Sequence, residues 1–197
     1  MIKLLFIFNL IIILIIGSAH SREVGETEIT TEGGIEVFQD EKYYLLKESV
    51  VILSDELELK AQTVKIFFEK DLYDIIELIA TDDVDFVSDD YNIKGKGDYL
   101  KFNIKNQKIE IIGIKSQLNL ENNQMLSDEK ISVDNVNGSF LIKGNGSKLI
   151  NENIYISGSK IEGSFEKLNG KRDISNLFVE DKKIVNIKKD NILMSSK

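Results

Sequence analysis

Hydrophobic and polar residues alternate with a period of two along most of the chain from about Glu28 onward. Residues 57 to 61 are apolar at every second position, and residues 100 to 105 repeat the pattern with Leu100, Phe102 and Ile104. Short segments of this kind, broken by Asn, Asp, Gly and Lys, are typical of β-strands. Because the alternation gives each strand one wet face and one apolar face, it predicts an all-β fold of antiparallel strands.

The apolar positions of these segments define the inner face of the predicted sheet. By strand period alone they are ordinary core residues, since alternating apolar side chains normally pack against each other. The set consists of Leu57, Leu59, Val64, Ile66, Phe68, Ile93, Leu100, Phe102 and Ile104. One segment is ambiguous, because Ile75, Ile76 and Ile79 also allow a short helix between Glu69 and Ala80.

The sequence also contains an internal repeat. The octet that begins at Ile93 returns 49 residues later, and a weaker copy begins at Leu59. Each copy is typical of a strand, a tight passage at Ala61, Gly95 or Gly144, and a second strand. Small residues let a strand bend at a corner, so the repetition indicates a sheet that coils on itself.

Three Asn-Gly pairs predict tight β-hairpin turns, because both residues tolerate the positive φ angles that such turns need. They are Asn137–Gly138, Asn145–Gly146 and Asn169–Gly170. The chain contains no proline, so its sheet edges must be protected by charge, by twist or by a partner.

The first 21 residues have the pattern of an export signal. A positive start precedes an almost unbroken apolar run over residues 4–16, and Ala19 and Ser21 are small residues suited to a cleavage site. A membrane-spanning helix needs about 18 apolar residues, so this run is short for a permanent anchor. We therefore expect residues 1–21 to be a cleaved signal peptide and the mature chain to begin at Arg22.

Removal of that segment limits the possible chemistry. The only histidine is His20, and the chain has no cysteine. A mature protein without imidazole or thiol cannot form Ser-His or Cys-His nucleophiles, structural zinc sites or c-type haem attachments. We expect no enzyme activity, no cofactor and no metal.

Charge is distributed unevenly. Residues 22–140 hold 13 Lys+Arg and 26 Asp+Glu, a net charge of −13, whereas residues 141–197 hold 11 and 7, a net of +4. The acidic body disfavours nucleic acid as a partner, because its phosphates are bound mainly by Lys and Arg. We interpret the densest acidic cluster as a solvated hairpin end rather than a calcium site or a glycosidase pair. It comprises Asp82, Asp83, Asp85, Asp89 and Asp90.

The sequence shows no internal domain boundary. It predicts a single domain over residues 22–180 and a basic C-terminal tail over residues 181–197. Head-to-tail association of copies would bring the acidic start against this basic end. The candidate residues for that contact are Glu26, Glu28, Glu32 and Glu36 near the start and Lys182, Lys183, Lys188 and Lys189 near the end.

Several short motifs, taken in order and spacing, resemble the LptA/OstA-type domain. They are residues 34–37, Ala61-Gln62-Thr63-Val64 followed by Phe67-Phe68, residues 76–80, Asp83-Val84, and residues 97–103 with a final Gly113. Gln62 departs from the pattern, since this family usually has Asp there. The resemblance covers about residues 28 to 150.

The resemblance implies a twisted, partly open antiparallel jelly roll whose apolar interior holds the acyl chains of lipopolysaccharide. The nine inner-face residues named above thereby become candidate lipid contacts. It further implies a periplasmic carrier or bridge that docks end to end between an inner-membrane LptC-type anchor and an outer-membrane LptD-type barrel.

Two alternatives stay open at this point. A membrane-anchored LptC-type partner has a similar fold and would retain residues 4–16. A carbohydrate-binding or carbohydrate-hydrolysing jelly-roll module would need paired carboxylates in a cleft or exposed aromatic platforms. The chain has no Trp and six Tyr for such platforms.

Overall fold

A computed structural model describes residues 25–70, 74–168, 171–181, 184–187 and 193–196. Within these ranges all regular structure is β-strand, which confirms the predicted fold class. The strands are β1 (Glu28–Thr30), β2 (Ile35–Phe38), β3 (Tyr43–Leu53), β4 (Leu57–Phe68), β5 (Ile75–Ser88), β6 (Ile93–Asn103), β7 (Lys108–Ile112), β8 (Ser116–Leu120), β9 (Asn123–Ser127), β10 (Lys130–Asp134), β11 (Ser139–Ile150), β12 (Ile154–Leu168), β13 (Lys171–Glu180), β14 (Ile184–Ile187) and β15 (Leu193–Ser196).

The sheet is folded into two facing layers, because the long strands bend near their middle. In β6, for example, residues 99–103 pair with β7, whereas residues 93–96 pair with β8. Layer A contains β2, β7, β10, β13 and one half of each long strand; layer B contains β1, β8, β9, β14 and the other half. Described neighbours are antiparallel except for β13 and β15, which are parallel.

The bends lie in a row that we call the corner. Strand register shifts there, for example between Lys47 and Val50 of β3 and between Thr81 and Val84 of β5. Extra residues of this kind sharpen the local twist and bend the strand. Several of them adopt the left-handed backbone region, namely Glu48, Ser49, Asp82 and Asp83.

The second repeat copy marks a corner rather than a hairpin. β11 changes register between Lys143 and Ser147, and Gly144 has a φ of +133° that favours glycine. The Ser147 hydroxyl donates a 2.7 Å hydrogen bond to the Gly144 carbonyl and so fixes the bend. The predicted hairpin turn at Asn145–Gly146 is therefore wrong, because both residues lie inside a continuous strand.

The first repeat copy bends for a related reason. In β6 the corner follows Gly97, two residues after the predicted position at Gly95. A Cβ atom on Gly97 would lie 2.6 Å from Ile111 Cγ2, so only glycine permits this approach. The weaker copy is confirmed as well, because β4 shifts register around Ala61.

Of three further local predictions, one is confirmed, one is wrong and one lies outside the described residues. The hairpin at Asn137–Gly138 is confirmed: it joins β10 to β11, and Asp134 Oδ1 accepts a 2.9 Å hydrogen bond from the Asn137 amide. The pair Asn169–Gly170 lies outside the described residues. The helical alternative for residues 69–80 is wrong, because Ile75 begins strand β5.

The basic end of the chain contributes strands to the sheet. β14 pairs with the layer B half of β12, and β15 pairs with β13. The four lysines proposed for head-to-tail contact, at positions 182, 183, 188 and 189, lie outside the described residues.

One continuous core of buried side chains lies between the layers. Phe86 of layer B meets Phe102 of layer A edge to face, with ring centroids 5.4 Å apart. On the outer faces, charges pair across neighbouring strands, as in Lys96–Asp85 at 2.6 Å. Among the residues that the structure describes, no helix has the length and apolarity needed to cross a membrane.

Candidate functional site

The two layers are joined at the corner, and their opposite sides form a mouth where the hairpin turns lie. In the N-terminal half of the sheet an apolar groove of about 210 Å³ opens between the layers at this mouth. Layer A contributes Ile66, Ile75, Leu78, Phe102 and Ile104, and layer B contributes Thr27, Ile29, Ile52, Ser54, Glu56, Leu57, Ser88, Asp90 and Tyr91.

All nine residues predicted for the inner face point into the space between the layers. Four of them line the groove, namely Leu57, Ile66, Phe102 and Ile104. The other five, Leu59, Val64, Phe68, Ile93 and Leu100, are buried away from it in the core. The structure therefore brings together fewer than half of the predicted set at one open site.

The sequence interpretation missed several groove residues. Ile29 and Ile52 belong to short or irregular alternating segments, and Ile75 and Leu78 lie in the segment with the ambiguous helical pattern. Tyr91 lies in the turn between β5 and β6, and its ring stands edge to face on Phe102 with centroids 5.5 Å apart. Tyr91 is therefore an aromatic lining residue of the groove that lies in a turn rather than in a strand.

The interior is also open at the N-terminal end of the sheet. Ile35 and Val37 of β2 pair with Leu46 and Tyr44, which face inward, so both belong to the inner face. They are nevertheless 50% and 55% exposed, and Ile29 across from them in layer B is 39% exposed. Among the described residues, the apolar inner face thus continues past the groove to an edge where β1 and β2 each pair only with β3.

Farther along the mouth, the two layers are joined by a polar cluster that we call the clasp. Arg172 of layer A donates to Glu121, in the layer B turn between β8 and β9, from Nη1 at 2.5 Å and from its backbone amide at 3.0 Å. Its Nη2 donates to Asn135 Oδ1 at 2.6 Å, and Asn135 Nδ2 donates to Gln107 Oε1 at 2.7 Å. The two charged side chains are only 11% and 20% exposed, so the clasp closes the mouth in the C-terminal half.

The layer A side of the groove carries a lysine lip, defined as Lys42, Lys70 and Lys105. Lys105 Nζ lies 3.0 Å from a carboxylate oxygen of Glu69, and Lys42 Nζ donates to the Glu69 backbone carbonyl at 2.7 Å. The hydrogen bond and charge of Lys105, helped by Lys70 and Lys42, lower the pKa of Glu69 below its ordinary value.

The layer B side carries an acidic lip, defined as Asp55, Glu56, Asp89 and Asp90. The negative charge of Asp90 and a hydrogen bond with it, together with the charge of Asp55, raise the pKa of Glu56 above its ordinary value. The two rim glutamates therefore report opposite electrostatic surroundings on opposite sides of the groove.

The acidic cluster predicted from the sequence is divided by the fold. Asp82 and Asp83 lie at the corner of β5, Asp85 pairs with Lys96 on the outer face, and Asp89 and Asp90 lie in the turn at the mouth. Only the last two form the predicted hairpin end. No group of His, Cys, Asp or Glu within the described ranges is arranged to hold a metal ion.

An antiparallel sheet folded over an apolar groove, open at one side and one end, defines a class of β protein suited to a ligand with flexible apolar parts. The sequence identifies the family to which the chain belongs. The chain belongs to the family described as LptA/(LptD N-terminal domain) LPS transport protein, whose sequence model matches residues 34–139. The resemblance drawn from the short motifs is thereby confirmed.

Among solved structures, the chain is similar to LptH, described as the LptA homologous periplasmic component of the conserved lipopolysaccharide transport device from Pseudomonas aeruginosa. The two share 15% sequence identity and a TM-score of 0.46, and the match covers 56% of this chain and 76% of LptH. A search of curated proteins finds no match to the chain.

Proposed function

We propose that this protein carries lipopolysaccharide across the periplasm, from the inner to the outer membrane, with the acyl chains of lipid A in the groove between the layers. The observation that carries the proposal is the groove itself: Ile66, Leu78 and Phe102 face Ile52 and Leu57 across an open space. Burial of acyl chains supplies about 0.8 kcal/mol per CH₂ group, so even a partly inserted chain binds firmly.

The uncovered inner face at the N-terminal end supports end-to-end docking. Ile29, Ile35 and Val37 would be covered by the end of a neighbouring molecule, and β1 and β2 each pair only with β3 among the described strands. Added strands supply main-chain hydrogen bonds at such an edge. The neighbours in this proposal are an inner-membrane LptC-type anchor, an outer-membrane LptD-type barrel or a second copy of the chain.

The proposal also includes export and the absence of catalysis. Residues 1–21 serve as a cleaved signal peptide, residues 22–180 form the lipid-binding domain, and the protein acts in the periplasm without enzyme activity. N-terminal sequencing of the purified protein tests export: Arg22 as the first residue supports the carrier, and Met1 or Ile2 supports the membrane-anchored LptC-type alternative. Hydrolysis of a saccharide by the pure protein would favour the carbohydrate-module alternative.

Lipid binding is tested by native mass spectrometry of protein purified from the periplasm of a lipopolysaccharide-producing bacterium. The wild-type protein should retain glycolipid, and Leu57→Asp should lose it, because a carboxylate then lies in the apolar wall. Leu57 is half-buried at the groove, so the new carboxylate can be hydrated without unfolding the sheet. Circular dichroism checks that the variant stays folded.

The matched control is Lys60→Asp, which puts the same carboxylate on the outer face of the same strand, β4. It should retain glycolipid like the wild-type protein. Equal loss in both variants, or no glycolipid on the wild-type protein, would overturn the proposal.

A further inference from the structure

The groove is polarised across its width. On the layer A side, Lys105 pairs with the Glu69 carboxylate, Lys42 donates to the Glu69 backbone carbonyl, and Lys70 follows Glu69 in the chain. On the layer B side, the acidic lip places Glu56 and Asp90 directly on the groove wall. An anionic group above the groove is therefore attracted to one side and repelled from the other.

We propose that the lysine lip, formed by Lys42, Lys70 and Lys105, binds the phosphate groups of an anionic lipid whose acyl chains lie in the groove. The inference rests on the proposed function and specifies how the lipid is oriented in the site. Ile104 of the groove wall directly precedes Lys105 in the chain, and Ile75 of the same wall pairs across the sheet with Phe68, the residue before Glu69. Apolar and cationic side chains therefore adjoin on one side of the groove. This combination matches an amphiphile with a phosphorylated headgroup.

Acidic side chains lie in the same turns as the lysine lip. Asp40 and Glu41 precede Lys42, and the backbone carbonyl of Asp74 accepts a 3.0 Å hydrogen bond from the Glu69 amide. The ammonium of Lys42 is directed at the Glu69 carbonyl, next to the carboxylate that Lys105 holds. Each lysine has three donors, so these contacts leave capacity for phosphate oxygens.

The test measures the affinity of purified full-length protein for two probes in buffer with a metal chelator. One probe is lipid A with two phosphates, and the other is the same lipid with both phosphates removed. Displacement of an apolar fluorescent dye from the groove gives each Kd. The triple variant Lys42→Gln, Lys70→Gln, Lys105→Gln should weaken binding of the phosphorylated lipid about tenfold, since three exposed charge contacts are lost. Its affinity for the phosphate-free lipid should not change.

A control variant removes the same number of charges elsewhere. Lys60, Lys96 and Lys143 are each paired with a carboxylate on the outer faces and are more than half exposed. Their replacement by Gln should leave both affinities at the wild-type level, which separates a local site from the effect of net charge.

Several outcomes would overturn the inference. Unchanged affinity of the lysine-lip variant for the phosphorylated lipid would do so, as would equal weakening for both lipids. Binding that requires added Ca²⁺ and is lost in Glu56→Gln, Asp90→Asn would place the headgroup on the acidic lip. Equally tight binding of the phosphorylated disaccharide without acyl chains would indicate a site for free phosphate esters. If neither lipid binds the wild-type protein, the proposed function falls together with this inference.

Discussion

The N-terminal and C-terminal halves of the sheet share one strand pattern but close their mouths differently. In the N-terminal half, the described part of residues 25–105 leaves an apolar groove between the layers, with the lysine lip on one side and the acidic lip on the other. In the C-terminal half, Glu121 and Arg172 pair across the same mouth and exclude solvent from the interior. Side chains behind the clasp, such as Leu149 and Ile161, are fully buried.

Alternation of apolar residues therefore does not decide between a core and a binding groove. Leu57 and Leu149 occupy similar positions in layer B strands, and both face inward. Only Leu149 is covered completely by the opposite layer. A groove arises where opposing layers remain apart at the mouth, and a core arises where a cross-layer contact draws them together.

Truncation of these two leucines should change stability by very different amounts. Leu149→Ala should reduce the free energy of unfolding by about 3 to 5 kcal/mol, because truncation of a fully buried side chain leaves a cavity. Leu57→Ala should cost only about 1 kcal/mol, because this residue is half-buried at an open groove. Denaturant unfolding monitored by circular dichroism measures both values.

The pair is matched in residue type, layer and substitution, so the difference reports the local packing. Similar losses of about 3 kcal/mol or more in both variants would mean that the groove is filled as tightly as the core. The comparison between the two halves would then fail.

The sequence predicted the fold better than the site for a physical reason. Period two reveals which side chains share a face, and eight of the nine predicted residues belong to the core cluster or pack against it. The ninth, Phe68, is buried beside Tyr44. Period two does not reveal which inward positions face the opposite layer and which face the mouth, because that depends on register between layers. Phe68 and Phe102 therefore looked equivalent, although only Phe102 lines the groove.

Local sequence patterns do not predict which residues far apart in the chain come into contact. Glu121 and Arg172 are 51 residues apart in the chain and meet only because the sheet folds over. Asn145–Gly146 has the composition of a hairpin turn, but β12 and β9 both pair with β11 just beyond it, and these pairings continue the strand through a corner. Tertiary pairing outweighed the turn preference there.

An intermediate effect is expected at the clasp. Glu121→Ala should reduce the free energy of unfolding by about 2 kcal/mol, because Arg172 loses its carboxylate partner while both side chains are mostly buried. Hydrogen exchange of the backbone amides at positions 121 and 172 should quicken, since the layers are no longer held together at the mouth.

The control is Glu129→Ala, which removes the ion pair with Lys143. Both of these side chains are about half exposed, so the loss should stay within about 0.5 kcal/mol. A clasp variant that behaves like this control would show that the C-terminal mouth is closed by apolar packing alone.

A further prediction concerns the pKa values of the two lips, where charges of opposite sign flank the groove instead of pairing as they do in the clasp. A carbon-detected NMR titration should find the Glu69 carboxyl with a pKa below the ordinary 4.5 and the Glu56 carboxyl with a pKa above it. Glu69 stabilises the fold above its unfolded-state pKa, and this contribution is lost as the pH falls through its lowered folded-state pKa. Glu56 acts in the opposite sense: repulsion from Asp90 destabilises the fold at higher pH and disappears as the pH falls below its raised pKa.

Both glutamates are exposed. The pKa changes caused by single substitutions therefore separate their two contributions more clearly than a measurement of overall stability does. Lys105→Gln should move the pKa of Glu69 up toward 4.5, and Asp90→Asn should move the pKa of Glu56 down toward it. Salt at 1 M, which shortens the screening length to about 3 Å, should reduce both shifts.

If the pKa of Glu56 instead lies below 4.5 in the wild-type protein, a cation from layer A reaches it across the groove. The N-terminal mouth would then be closed by a charge pair in solution, and the contrast with the clasped half would disappear.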